Sequence, residues 1–392
     1  MRESGIRSYL SIFYLFLALA TLAKGPVAPF FAFVIIAAFC TLHRDYRLLW
    51  RTLATPWALL FPAVAFPWYI AVQLRNPEFF RVFILEHNLA RFGTDLYHHG
   101  QPFWFYVPVI LLALLPWTIF VAQALIESLR LWWSDRDLRV DREHSFNIFL
   151  ILWLIIPVVF FSFSKSKLPG YILPAVPAGT LLLAEYVRRH VTEGVRPPFL
   201  VTLLHSIVAA QLLIPALMIQ HILLNHRLPW GMPLAVAGCA AVVLATSMML
   251  TLRSNLGLRM LRFVTLVPVV LVLAVVLRTH APVVDAAFSV RPLARDIARV
   301  EAGNLPTAVF RVSREIEYGL AFYRNQTVQN YNIGQVPMRD HLLVTAEGTW
   351  PILAREMPNR RISFLGNYAP LHLEYYWISA PGAYSSQHHS HQ

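Results

Sequence analysis

Long apolar runs separated by short polar ones fill the first 280 residues, and only after Arg278 do the runs shorten to strand length. A helix needs about 20 predominantly apolar residues to cross a bilayer core. About nine runs fit that reading, at approximately residues 8–23, 27–42, 52–74, 103–126, 146–163, 172–187, 199–223, 231–252 and 263–279. Several contain proline, as at Pro157, which membrane helices tolerate because neighbouring helices satisfy the freed backbone groups. The first run lacks a small-residue cleavage site and leads straight into Lys24-Gly25-Pro26 and another apolar run, so it does not read as a signal peptide.

Beyond Ala281 the pattern mixes periods. Helical spacing over 288–300, 315–323 and 350–356 alternates with strand candidates at 307–312, 327–331, 341–345 and 361–365. A small exterior α/β domain over 281–380 follows. Residues 1–280 form a multi-span domain, and 381–392 a His-rich tail without structure. The expected fold class is therefore an α-helical polytopic membrane protein with a small α/β domain at its C-terminal end. No nucleotide-binding glycine motif or catalytic serine motif stands in that domain, whose expected part is to cover the exterior face. Asn325-Gln326-Thr327 fits a glycosylation acceptor by chance composition.

Composition agrees: 57% of the residues are hydrophobic and 14% charged, with a mean hydropathy of +0.53, outside the range of ordinary soluble domains. Alternating the spans sorts the cations. Arg44, Arg47 and Arg51, then Arg130, Arg136, Arg139 and Arg142, then Arg188, Arg189 and Arg196, then Arg253, Arg259 and Arg262 fall on one side. By the positive-inside tendency that side is cytoplasmic. Lys24, the 86–106 stretch, the Ser164 to Tyr171 loop and the C-terminal domain are then exterior. The net charge of +12 needs no nucleic acid, because anionic membrane lipids are the simpler partner. Cys40 and Cys239 both lie in spans, which excludes a disulfide framework and argues against a cysteine metal site.

Three exterior segments carry candidate chemistry. Lys24 is either a lysine snorkelling beside a turn or an ammonium placed at the depth of a lipid phosphate. Ser164-Lys165-Ser166-Lys167-Leu168-Pro169-Gly170-Tyr171 puts two lysines and two hydroxyls outside, against the charge bias, and suits phosphate oxygens. Residues 86–106, EHNLARFGTDLYHHGQPFWFY, put His87 and Arg91 four apart on one helical face, with Glu86 beside them and His98 and His99 ahead of an interfacial aromatic belt. A carboxylate near imidazoles ligates a divalent ion or shuttles protons, although a single histidine is more often a solvated loop residue.

Read in order, LAKGP, EHNLARF, HHGQPFWFYVP, LPW and SKSKLPGYILPAVPA resemble the bacterial aminoarabinose transferases and the dolichyl-phosphate-mannose protein mannosyltransferase-like group, which are C-type glycosyltransferases. The resemblance covers about Leu22 to Leu183. It implies transfer of a sugar from a polyprenyl-phosphate carrier to a lipid or glycan acceptor, such as a lipid A phosphate, on the periplasmic face of the bacterial inner membrane. It assigns Lys24, Arg91, Lys165 and Lys167 to the carrier phosphate and His87 and Arg91 to catalysis. Glu86, His87 and His99 are weaker candidates for a divalent metal ion, which some relatives bind.

Members of that group begin with further spans and an exterior loop bearing the acidic catalytic base, and this chain offers no counterpart before Lys24 except Glu3 on the inner side. The expectation is an N-terminally incomplete bundle. A shifted start, a separately encoded N-terminal half and an inactive remnant each account for it. The alternative function is a non-catalytic polyprenyl-phosphate binder or a flippase-like protein. Transport calls for ionisable residues at mid-membrane, and the runs are almost free of them.

Overall fold

The computed structural model describes residues 2–83, 100–134, 141–215, 231–300, 305–334 and 336–381. The chain divides into two compact units, Met1–Leu212 with Ala241–Val267, and Leu213–Ala240 with Pro268–Gln392.

The helical elements follow the apolar runs. They are α1 (Arg2–Lys24), α2 (Val27–His43), α3 (Tyr46–Leu53), α4 (Leu60–Arg75), α5 (Tyr106–Ala113), α6 (Thr118–Ser134), α7 (Arg142–Ser162), α8 (Val176–Glu193), α9 (Phe199–Gln211), α10 (Met232–Arg253) and α11 (Leu261–Phe288). Local chemistry sets their ends. Asp141 caps α7 by accepting from the backbone N–H groups of Glu143 and His144 at 3.1 and 3.2 Å. Gly194, at φ +69°, ends α8 in the left-handed region that glycine adopts without strain.

By length and composition, five helices among the described residues can cross a membrane: Pro56–Arg75, Glu143–Ser162, Pro169–Glu193, Leu234–Arg253 and Gly257–Val275. A sixth is counted if Phe103–Ala113 and Thr118–Ser134, bent by 111° at their break, form one span. The chain is a multi-pass membrane protein, and among the described residues six of the about nine runs expected to span coincide with these helices. The remaining three runs sit on shorter apolar helices, Tyr9–Lys24, Val27–His43 and Phe199–Pro215. Hydropathy reports which residues partition into lipid, whereas crossing also requires length. Seventeen residues of α2 extend about 25 Å at 1.5 Å per residue, at the lower limit for a core of about 30 Å. In the bent pair, Pro116 lies at the break, where its missing N–H interrupts the helical ladder.

Inside the first unit α1 packs on α4, α2 on α7, and α7 on α8. Lipid tails are as apolar as the side chains, so close packing and interhelical hydrogen bonds hold such helices, the latter at about 0.6 kcal/mol each. Gly179 of α8 shows the close packing: a Cβ there would lie 2.7 Å from a Leu114 methyl. Tyr69 of α4 donates to the Thr21 carbonyl of α1 at 2.8 Å, and the Trp153 indole of α7 donates to the Pro174 carbonyl at 2.9 Å.

The second unit contains a five-stranded mixed sheet. Its elements are α12 (Arg291–Val300), β1 (Thr307–Phe310), α13 (Arg314–Arg324), β2 (Gln329–Asn330), β3 (His341–Ala346), α14 (Trp350–Glu356), β4 (Ile362–Tyr368) and β5 (Leu373–Ile378). The strand order is β2-β1-β3-β5-β4, with β1 parallel to β2 and β3, and β5 antiparallel to β3 and β4. Helix α11 continues past Arg278 to Phe288 with Pro282 inside it, so the change in sequence texture falls within a helix. The expected strand at 327–331 is reduced to two residues, and β5 is an element the alternation did not single out. Val309, Leu342 and Val344 pack with Leu293 and Ile297 of α12 on one face, while Ala308, Leu343 and Tyr376 pack with Leu353 of α14 on the other.

Candidate functional site

The SKSKLPGY loop joins α7 to α8 and is tied back on itself. Lys167 is buried, 7% exposed, and its Nζ donates to the carbonyl of Ser164 and, at 3.0 Å, to the carbonyl of Gln101. Ser164 Oγ donates to the Ser166 carbonyl at 2.9 Å, and Ser166 pairs with Gly100 in an isolated antiparallel bridge. Tyr106, fully buried, donates to the Leu168 carbonyl at 3.1 Å. Two of the three ammonium donors of Lys167 therefore hold the loop against the 100–106 segment. The Ser166 hydroxyl is buried without a hydrogen-bond partner among the described residues, and Lys165 between them is exposed.

Lys24 stands on a turn that its own neighbours dictate. Gly25 takes φ +80°, closing α1 with its N–H on the Thr21 carbonyl at 2.7 Å, and Pro26 opens α2. The same Thr21 carbonyl accepts from Tyr69, so the turn is fixed from two sides while the Lys24 side chain is exposed.

One apolar cluster brings these segments to the same end of the helical unit. Phe31 and Val27 of α2, Tyr106, Phe161, Tyr171 and Ile172 pack together, with Phe31 and Phe161 rings 5.5 Å apart and Phe161 and Tyr171 rings 5.2 Å apart. Val27 follows Lys24 by three residues, Tyr106 ends the segment bridged by Lys167, and Tyr171 ends the lysine loop. Lys24, Lys165 and Lys167 thus adjoin residues of one apolar cluster, and none of them pairs with a carboxylate among the described residues.

Glu86, His87, Arg91, His98 and His99 lie outside the described residues. Among the residues described, no group of three or more His, Cys, Asp or Glu side chains is placed to hold a metal ion. Residue types alone assign Gln101 no role and place Tyr106 in an interfacial belt, whereas Tyr106 is buried and its hydroxyl, with the Gln101 carbonyl, fastens the lysine loop. No spacing rule links them to residues more than 60 positions away. Two large grooves of this unit, of about 590 and 710 Å³, are lined by other side chains, among them Arg188 in both.

No family model matches the chain. It is 38% identical over 123 residues to the undecaprenyl phosphate-alpha-4-amino-4-deoxy-L-arabinose arabinosyl transferase of Serratia proteamaculans, covering 31% of this chain and 20% of that protein. It is 34% identical over 192 residues to the protein of the same name from Aeromonas hydrophila, covering 49% of this chain and 33% of the relative. Among solved structures, ArnT from Cupriavidus metallidurans bound to undecaprenyl phosphate superposes with a TM-score of 0.69 at 21% identity, over 95% of this chain and 69% of that one. The chain is a homologue of the aminoarabinose transferases.

The match spans about a fifth to a third of the length of these curated relatives. The apo structure of the same Cupriavidus ArnT superposes with a TM-score of 0.63. The helical membrane fold with a small mixed-sheet domain is thus an ArnT-like fold.

Proposed function

We propose that the rim of Lys24, Lys165 and the Lys167-held loop binds the phosphate of a polyprenyl-phosphate-linked sugar. In this reading the chain is part of a glycosyltransferase that passes aminoarabinose from undecaprenyl phosphate to an acceptor such as a lipid A phosphate. The reaction takes place at the periplasmic face of the bacterial inner membrane. The similarity to arabinosyl transferases supports the reaction class, and the undecaprenyl phosphate bound in the Cupriavidus structure supports the carrier. The observation that carries the reading is the convergence of two exposed lysines, free of carboxylates among the described residues, and a buried hydroxyl at one end of the bundle.

The chemistry asks for this arrangement. As the bond from the anomeric carbon to the phosphate oxygen breaks, its electron pair leaves with the phosphate while an acceptor oxygen bonds to the carbon. Fixed cations aimed at the departing phosphate lower that barrier, because their effect is greatest where charge develops. Lys167 sets the loop backbone, and Lys24 and Lys165 reach the phosphate. Arg91 and His87 join the phosphate and catalytic sets on their sequence positions, with Glu86 and His99 the candidates for a divalent ion. The acceptor proton needs a base within hydrogen-bond reach, and no residue of this chain is assigned to it.

Photo-crosslinking tests the reading. A polyprenyl phosphate carrying a benzophenone beside the phosphate should label peptides containing 24 or 164–171, and unlabelled undecaprenyl phosphate should compete. Labelling confined to other peptides would refute it. In membranes that carry out transfer, Arg91→Glu should abolish turnover without lowering the amount of inserted protein, and unchanged turnover removes Arg91 from the mechanism.

A further inference from the structure

The groove of about 590 Å³ lies in the helical unit away from the lysine loop, and one of its walls is a stripe of α8. Thr180, Leu183, Ala184, Val187, Arg188 and Val191 recur at three and four residues, the spacing that puts side chains on one helical face. Leu258 and Leu261 face that stripe, and Arg259 and Arg262 line the same groove, one helical turn apart. From Thr180 to Val191 the stripe is about 16 Å long at 1.5 Å per residue, close to half of a hydrocarbon core of about 30 Å. It matches one leaflet.

The charges are not equivalent. Arg188 is held by Glu185 at 2.6 Å and Glu143 at 2.7 Å, so its charge is already answered by two carboxylates. Arg259 and Arg262 are exposed, and neither forms an ion pair among the described residues. Arg262 lies over the Phe263 ring, 4.6 Å from its centroid, in a groove lined mostly by apolar side chains. All three belong to the arginine-rich side that the positive-inside tendency assigns to the cytoplasm.

We propose that this groove seats an anionic glycerophospholipid of the cytoplasmic leaflet, its phosphate between Arg259 and Arg262 and an acyl chain along Thr180 to Val191. Basic pockets between membrane helices on that side suit such headgroups. A zwitterionic headgroup fits less well, because its ammonium would face two guanidinium groups. The polyprenyl carrier is disfavoured because the lysine rim lies at the opposite end of α8.

Native mass spectrometry of the purified full chain, titrated with phosphatidylglycerol or phosphatidylethanolamine, tests the proposal. Phosphatidylglycerol should bind in preference. The double variant Arg259→Gln, Arg262→Gln should lower its affinity about 25-fold, from the roughly five-fold carried by each basic residue near a lipid surface. Val187→Trp, which fills the channel and leaves the arginines intact, should lower it as well and carries the test if the arginine variant does not fold. Arg47→Gln with Arg51→Gln, on the same side but outside the groove, should change nothing. Equal binding of both lipids, or wild-type occupancy in the Trp or the arginine variant, overturns the proposal, as does a loss confined to added undecaprenyl phosphate. Lys24→Glu with Lys165→Glu should leave phosphatidylglycerol binding unchanged, so this result and the carrier assignment fail separately.

Discussion

Two pairs of cations in the helical unit, Arg188 with Arg189 and Lys24 with Lys165, are treated in opposite ways. On the arginine-rich side, Arg188 is answered by Glu143 and Glu185, and Arg189 bonds Glu127, whose other oxygen lies 3.8 Å from His190. On the other side Lys24 and Lys165 have no carboxylate among the described residues, and Lys167 turns to backbone carbonyls instead. A paired charge contributes to the fold, whereas an unpaired charge at headgroup depth is available to an external anion. The difference assigns Arg188 and Arg189 to the architecture and leaves Lys24 and Lys165, like Arg259 and Arg262, to external anions, and it can be attacked from both ends.

The largest effect is expected where unpaired charges are reversed. Lys24→Glu with Lys165→Glu should weaken undecaprenyl phosphate binding about 100-fold, from two charge-assisted hydrogen bonds at about 1.5 kcal/mol each, as measured by titration of the detergent-solubilised chain. Glu127→Gln should leave that affinity alone. It strips the partner from Arg189, a side chain only 14% exposed, and should cost about 3 kcal/mol of stability, read as a lowered thermal transition. Lys167→Met should cost about 2 kcal/mol in the same scan by freeing the Ser164 and Gln101 carbonyls. Lys165→Met should stay within about 0.5 kcal/mol. Equal destabilisation by the two lysine variants would erase the distinction between a loop-holding and a ligand-facing lysine.

How much of this was legible follows from what each signal encodes. Apolar runs located the helices from α1 to α11 other than α3, because partitioning is a property of local composition. They did not show where a run is interrupted, as at the break around Pro116 that divides one continuous hydrophobic run. In the sheet, β3 was legible from its run of buried aliphatic residues. By contrast β5, Leu-Glu-Tyr-Tyr-Trp-Ile, hides its alternation behind aromatics that serve both faces. The lysine loop announced its phosphate chemistry through residue types alone. Which lysine would be buried was not legible, since the deciding partner, Gln101, is 66 residues away in sequence.

The smaller, pH-linked prediction concerns the sheet domain. His341 is fully buried, Nδ1 lies 2.7 Å from the Arg339 carbonyl, and Nε2 pairs with the Tyr331 hydroxyl. Nδ1–H donating and Nε2 accepting from Tyr331 is the neutral tautomer that satisfies both. Burial, aided by Arg360, holds the His341 pKa below its ordinary 6.5 against the opposing Arg339 carbonyl and Asp340. The unfolded chain then takes up a proton that the folded domain refuses. Stability is full above about pH 6.5 and falls as the pH drops below it, by at most about 1.4 kcal/mol per pH unit. His341→Gln should flatten that slope in pH-dependent thermal scans. An unchanged slope would mean that other groups set the acid limit. Glu143→Gln, which removes one of two partners from the half-exposed Arg188, should cost no more than about 0.5 kcal/mol.

The most direct test of the central claim is thiol labelling at position 165. With Cys40 and Cys239 replaced by alanine, Lys165→Cys in intact spheroplasts should react with a membrane-impermeant maleimide, and added undecaprenyl phosphate should protect it. Labelling only after permeabilisation, or labelling indifferent to the carrier, would contradict an exterior lysine rim that holds a polyprenyl phosphate.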